Sequence, residues 1–232
     1  SATRPGRCLE IGAGRGTKTY VMMCQAKRAG YERQHTALDL HDRKCDLNLA
    51  RLHKAGIKGV RTVSGDACEL NEVLTSFDAM RGEQVKFDTV FIDAPCSGTG
   101  TMRRHPEIPW RLSENDVMTE LPKLQLTMLK EAAARVAQGG ELIYATCSVF
   151  DEENTQVVDA FLASAEGEGF AVAPLSEAQI LQLPEFEQAK KLVSLRQNDR
   201  GLFQSVPINA DSYDGHFCAR LVRTPLMPAL CR

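Results

Sequence analysis

Two of the eight cysteines directly follow apolar runs of strand length. Phe87-Asp88-Thr89-Val90-Phe91-Ile92-Asp93 leads into Ala94-Pro95-Cys96-Ser97-Gly98, and Glu141-Leu142-Ile143-Tyr144-Ala145 leads into Thr146-Cys147-Ser148. A thiolate is a strong nucleophile, and strand-end loops near helix starts and cations can lower a thiol's pKa enough to form it. If the two strands are neighbours, both thiols face one crevice, with Asp93 at its edge. Either cysteine alone reads equally well as a small apolar filler. The other six, at positions 8, 24, 45, 68, 218 and 231, show no Cys-x-x-Cys spacing, so no zinc site or other metal is expected. A disulfide framework is not expected either.

A second cluster opens the chain. Arg7-Cys8-Leu9-Glu10-Ile11 reads as a strand, followed by Gly12-Ala13-Gly14-Arg15-Gly16-Thr17. Alternate glycines let backbone approach a ligand closely, but Thr17 breaks the Gly-x-Gly-x-x-Gly dinucleotide spacing. Asp39 ends a second strand, where a carboxylate can accept hydrogen bonds from ribose hydroxyls, and Asp66 follows a third, within reach of an adenine amino group. Each aspartate alone reads as a loop residue or helix cap. With Glu10 they suit a nucleoside ligand lacking phosphates, such as S-adenosylmethionine, and no Walker loop argues for a triphosphate.

The elements that must position these residues alternate. Strands are expected at 35–39, 59–63, 87–93 and 141–145, with helices at 18–28 and around Cys45, Leu49 and Leu52. A longer helix presents Leu121, Leu124, Met128, Ala132 and Val136 on one face, admits Pro122 in its first turn and stops at Gly139-Gly140. The segment 166–200 is less regular, and a last strand covers 216–222. Such strand-helix units give a doubly wound, Rossmann-like α/β fold, a mostly parallel sheet with an antiparallel strand near the carboxyl terminus. Residues 1–232 are assigned to one domain. The first strand starts within ten residues of a non-Met first position, so an upstream part is expected to be absent from the chain.

Composition narrows the setting. The chain has 232 residues, 43% of them apolar, and a formal charge of -2, which supports a sizeable core and excludes a polybasic nucleic-acid binder. No apolar run approaches the roughly 18 residues of a bilayer span, and no signal-peptide pattern opens the sequence. A cytoplasmic monomer is the expectation, with nuclear and organellar sites left open.

The cysteine segments resemble the Sun-type family of RNA cytosine carbon-5 methyltransferases. Asp93-Ala94-Pro95-Cys96-Ser97-Gly98, with Arg103-Arg104-His105-Pro106-Glu107-Ile108 and Trp110, resembles that family's fourth motif. Thr146-Cys147-Ser148 with Glu152-Glu153-Asn154 resembles its sixth, and Asp214-Gly215-His216-Phe217 its closing strand, where a second Phe usually replaces His216. The likeness runs over residues 5–223. It departs at the first motif, where Arg15-Gly16-Thr17-Lys18-Thr19 stands for the usual Pro-Gly-Gly-Lys-Thr and Glu10 for Asp. The resemblance implies S-adenosylmethionine as cofactor, Cys147 as the nucleophile adding to cytosine carbon 6, Cys96 assisting release of the adduct, and Asp93 hydrogen-bonding near ring nitrogen 3. Cofactor contacts are expected from Glu10, Gly12, Ala13, Gly14, Gly16, Lys18, Asp39, Asp66 and Asp93.

The partner implied is ribosomal or transfer RNA, with a target cytosine that is single-stranded or flipped out. Lys18, Arg103, Arg104 and His105 are the expected RNA contacts, joined by Arg111, while Trp110 either stacks on a base or packs into the core. Further phosphate contacts are expected from Arg4, Arg7 and Arg15. Two readings compete: a DNA cytosine methyltransferase, in which the Pro-Cys thiol is the nucleophile, and a non-catalytic RNA-binding or assembly module. A nicotinamide oxidoreductase is a more distant third.

Overall fold

The computed structural model describes residues 4–175, 191, 196–207 and 213–224. Its strands are β1 (Gly6–Ile11), β2 (Arg33–Asp39), β3 (Val60–Ser64), β4 (Phe87–Asp93), β5 (Val136–Thr146), β6 (Phe170–Val172), β7 (Phe203–Ser205) and β8 (His216–Arg223). The helices are α1 (Thr17–Arg28), α2 (Asp42–Lys54), α3 (Leu70–Val73), α4 (Thr75–Arg81), α5 (Ile108–Arg111), α6 (Leu121–Ala133) and α7 (Thr155–Leu162). Among the described residues one sheet runs β3-β2-β1-β4-β5-β8-β6, with β7 also on β8. The pairs from β3 to β5 are parallel, whereas β8 runs antiparallel to β5, β6 and β7.

This order follows from burial. Leu9, Ile11, Leu38, Val90, Ile92, Leu142 and Tyr144 are at most 1% exposed, as central strands covered by helices on both faces demand. Strand order reverses between β1 and β4, so a crevice opens at their carboxyl ends. The loops carrying Gly12–Gly16, Cys96 and Cys147 all leave the sheet on that edge.

Three expectations about elements change. Helix α6 ends at Ala133, six residues before Gly139. By Arg135 the chain has already joined the sheet, because the Phe87 N–H donates to the Arg135 carbonyl at 2.8 Å. Arg135, 1% exposed, is held by both oxygens of Asp78 at 2.8 Å. The glycine pair instead lies in a bulge of β5, where the register on β4 shifts between Phe87 and Thr89 and Gly139 takes φ +70. The buried face of α6 also differs: Gln125 is fully buried, while Leu124 is 38% exposed. Finally, β6 lies inside the segment read as irregular, and much of the rest of that segment is outside the described residues. No helix among the described residues is long and apolar enough to cross a membrane.

Candidate active site

Asp93 is the last residue of β4, and the next residue is still in the ladder, with the Ala94 N–H on the Ala145 carbonyl at 2.9 Å. Cys96 and Cys147 therefore emerge side by side from adjacent strands. Their sulfurs are 3.3 Å apart, and the Cys147 N–H also points at the Cys96 sulfur at 3.4 Å. Both cysteines are free. The Cys96 thiol is pushed far up, first by its hydrogen bond to Cys147 and then by burial. The Cys147 thiol is lowered, because the bond from Cys96 outweighs its burial and the repulsion of Asp93, with help from Lys18. Of the two sulfurs, Cys147 is the one disposed to be a thiolate.

Lys18, in the first turn of α1, places Nζ 2.6 Å from Asp93 Oδ2. Lys18, one of the residues expected to contact cofactor and RNA, thus lies against Asp93 at the end of β4. Both side chains remain partly open to solvent, so the pair is available to a ligand.

The glycine loop is shaped by its neighbours. Gly12 takes φ +77, and a Cβ there would lie 2.3 Å from the Asp93 carbonyl oxygen. The loop therefore touches the end of β4, which only glycine permits. Gly16, at φ +81, caps α1 and would strike the Asn48 amide with any side chain. Thr17, where the first motif departs from the resemblance, and Thr19, where it agrees, are both held from α2: Arg51 donates to Thr17 Oγ1 at 2.8 Å and Asn48 to Thr19 Oγ1 at 3.1 Å. Gly14 faces open space, its nearest neighbour being its own loop at 4.0 Å. Asp39, 6% exposed, accepts from the Gly14 N–H at 2.9 Å through Oδ2 and from the His41 N–H at 3.1 Å through Oδ1. Asp66 is exposed and caps the short turn Ala67–Glu69 by accepting from the Cys68 N–H at 2.8 Å. These glycines, the acidic group ending β2 and the space over Gly14 fit a nucleoside cofactor. Ala13, itself buried, is placed by its N–H on the Leu38 carbonyl at 3.0 Å.

Glu10 is a correction. Its side chain is fully buried within the sheet layer, 2.8 Å from His35 Nε2 on β2, and does not reach the crevice. Leu9 and Ile11 on either side are equally buried because both faces of β1 are covered, so a carboxylate at this position needs a buried partner, which is His35. Burial of the His35 ring opposes its proton, but the Cys8 and Glu10 side chains outweigh burial and hold it up to about 9. Arg4 and Arg7 likewise lie at the amino end of β1, away from the crevice: the Arg4 guanidinium donates to the Gly139 carbonyl, and the Arg7 backbone N–H donates to Asp88.

The loop after Cys96 runs through Thr99–Thr101 to α5. Ile108 is buried and packs on Gly98, where a Cβ would be 3.3 Å from its Cδ1, so α5 is pinned beside the thiols. Trp110 on that turn is 89% exposed, which resolves the choice left by the sequence: it is not a core residue. Arg104 reaches Asp214 at 2.6 Å, Arg103 approaches the same carboxylate at 3.9 Å, and His105 and Arg111 both approach Glu107. These four side chains are exposed, and exposed ion pairs of this kind are weak.

The sequence reading gave no role to several residues that build the site. Gln125 and Glu153 are fully buried; Glu153 touches both thiol loops, and Gln125 touches the Cys96 loop and Glu153. Gly100 donates its N–H to the Cys147 carbonyl at 2.8 Å. The signal for Gln125 was a lone amide one turn before Met128 and Leu129. A cavity of about 950 Å³ does exist elsewhere, at the amino ends of β1 and β2 between Arg7, Tyr31 and Gly59, but it holds neither thiol nor the glycine loop.

A sheet of this order, with a glycine-rich turn over its crevice, defines a Rossmann-like methyltransferase. The solved structure of PH0851 superposes with a TM-score of 0.74 at 27% identity, over 95% of this chain and 44% of that one. NSun6 from Pyrococcus horikoshii, solved with SFG, shares the fold with a TM-score of 0.69 at 19% identity, over 96% and 50% of the two chains. The profile of the family described as 16S rRNA methyltransferase RsmB/F matches residues 3–222, and the chain belongs to that family of S-adenosylmethionine-dependent enzymes. The Sun-type resemblance is thereby borne out. Among curated relatives, ribosomal RNA small subunit methyltransferase B of Escherichia coli (strain 536) is 31% identical over 93% of this chain and 42% of its own length. The protein of the same name from Citrobacter koseri is 35% identical over 67% of this chain and 33% of its own. The chain thus spans about a third to two fifths of the length of these relatives.

Proposed function

We propose that this chain carries the catalytic site for methylation of cytosine carbon 5 in ribosomal RNA, through a covalent bond between Cys147 and carbon 6. The observation that carries the reading is the pair of free thiols 3.3 Å apart at the ends of two adjacent strands, with the lowered one at Cys147. Transfer RNA is the other substrate of the same chemistry. Gly12, Ala13, Gly14, Gly16, Lys18, Asp39, Asp66 and Asp93 would hold S-adenosylmethionine, which when bound supplies an electrophilic methyl group.

The residues of the chain do the rest. Cys147 adds to carbon 6, and the ring electrons shift toward carbon 5, making it nucleophilic. Asp93 shares a proton near ring nitrogen 3 and so stabilises the charge that develops. Once the Cys147 sulfur is bonded to carbon, it is no longer an anion accepting from Cys96. The largest cause holding the Cys96 thiol up is then gone. Cys96 can then give up its own proton to solvent; once carbon 5 carries the methyl group, the Cys96 thiolate takes the carbon-5 proton, and the returning electron pair breaks the carbon 6–sulfur bond and expels Cys147 as a thiolate. Lys18, Arg103, Arg104, His105 and Arg111 receive phosphates, and Trp110 stacks on a base flanking the target.

Cys147→Ala should abolish tritiated-methyl incorporation into RNA, and Cys96→Ala should accumulate a protein–RNA adduct that survives denaturing electrophoresis. Normal methylation by Cys147→Ala would overturn the assignment. An adduct formed through Cys96 instead would point to the DNA-type chemistry.

A further inference from the structure

Glu153 ends the short turn Asp151–Glu153 that follows the Cys147 loop, and its side chain is fully buried. No ion pair involves it among the described residues. A buried carboxyl group without a cation is costly unless donors surround it, and a packed apolar side chain would fill the same space at less cost. Three donors do surround Glu153. Oε1 accepts from the Ser97 N–H at 2.8 Å and from Gln125 Nε2 at 3.0 Å, and Oε2 accepts from Ser148 Oγ at 2.5 Å. Ser97 and Ser148 are the residues immediately after Cys96 and Cys147. Gln125 Nε2 also donates to the Pro95 carbonyl at 2.9 Å, so Cys96 is gripped on both sides. The Ser97, Thr99 and Ser148 hydroxyls close a network between the loops at 3.1 to 3.3 Å. From below, Tyr144 on β5 donates to the Glu153 carbonyl at 2.6 Å.

We propose that Glu153, supported by Gln125, is the positioning residue of the thiol pair: by binding the residue after each cysteine it sets the separation of the two sulfurs. Neither Glu153 nor Gln125 touches either sulfur. The consequence for Cys147 is indirect, since the hydrogen bond from Cys96 is the largest cause lowering its thiol and that bond exists only at this separation. Releasing the loops would leave Cys147 half-buried beside Asp93 with less to stabilise its anion.

The test reads Cys147 without RNA, so that it stands apart from the proposed reaction. The pH dependence of Cys147 alkylation by iodoacetamide is followed by peptide mass spectrometry in wild type, Glu153→Gln, Glu153→Ala and Gln125→Ala, alongside thermal melts. Glu153→Ala is expected to move the alkylation midpoint up by about one pH unit, a tenfold loss of thiolate at neutral pH. Glu153→Gln keeps an oxygen for Ser97 and Gln125 and should fall between. In turnover, kcat should drop at least tenfold with KM for S-adenosylmethionine unchanged. A folded Glu153→Ala with the wild-type midpoint overturns the proposal, because a purely structural residue would lower the melt and leave the midpoint alone. If Glu153→Ala does not fold, Gln125→Ala decides: an upward shift supports the clamp and an unchanged midpoint overturns it. A shifted midpoint in a protein whose wild type methylates no RNA would sink the reaction proposed above and leave the clamp standing.

Discussion

Gly100→Ala offers a direct measure of how tightly the Cys147 loop is held. Gly100 has no left-handed φ, so an alanine there suffers no backbone strain, only contact. Its Cβ would lie 2.2 Å from the Gly215 carbonyl oxygen and 2.8 Å from that of Cys147. Both obstacles are backbone atoms, and C···O contacts prefer about 3.3 Å or more, so the chains must part by about 1 Å. Overpacking of that kind costs about 1–3 kcal/mol. The parting also stretches two backbone hydrogen bonds at 2.8 Å, Gly100 N–H to Cys147 and Gly215 N–H to Gly100. At about 1 kcal/mol each, the total is about 3–5 kcal/mol. With a urea slope of about 3 kcal/mol per molar, the unfolding midpoint should fall by about 1–1.7 M. Methyl transfer should drop about a hundredfold in protein that remains folded, because Cys147 moves with its carbonyl. Gly30→Ala is the control: Gly30 has φ +84 and nothing within 4 Å, so only about 1 kcal/mol of left-handed strain is expected. A Gly100→Ala midpoint within about 0.3 M of wild type, with full activity, would refute the argument.

Other outcomes follow from the same geometry. His35 keeps a proton in the folded state up to about 9 that the unfolded chain releases near 6.5, so its contribution to stability is complete below 6.5 and lost as pH rises through 9. That interval corresponds to roughly 3 kcal/mol; urea midpoints should fall across it in wild type and far less in His35→Gln, and equal slopes would refute the assignment. Asp39→Ala removes the acceptor of the Gly14 N–H and should weaken S-adenosylmethionine binding at least tenfold by calorimetry, whereas unchanged affinity would place the cofactor elsewhere. Trp110→Ala should leave the melting temperature within a degree or so, since the ring is 89% exposed, yet weaken RNA binding by about 1–3 kcal/mol in a filter assay. A large drop in melting temperature would show instead that the ring packs.

The strand-helix alternation and the place of the two thiols are legible along the chain alone, because both are local patterns. An apolar run that ends at Asp93 or Thr146 must put the next residues at a strand's carboxyl end, and strand order in a doubly wound sheet brings those ends to one edge. Where local pattern and long-range partner disagreed, the partner won. Glycines 139 and 140 look like a helix stop but form a bulge, because Arg135 is already paired with Phe87 and Asp78. Glu10 looks like a cofactor ligand next to a glycine loop, but His35, twenty-five residues on, claims it. Gln125 and Glu153 carry no local sign of what they hold. Their partners are Pro95, Ser97 and Ser148, and only the packing of α6 across the ends of β4 and β5 brings them together. Periodicity along a chain reports which face a residue shares, and the identity of a buried polar group's partner is a property of the assembled layers alone.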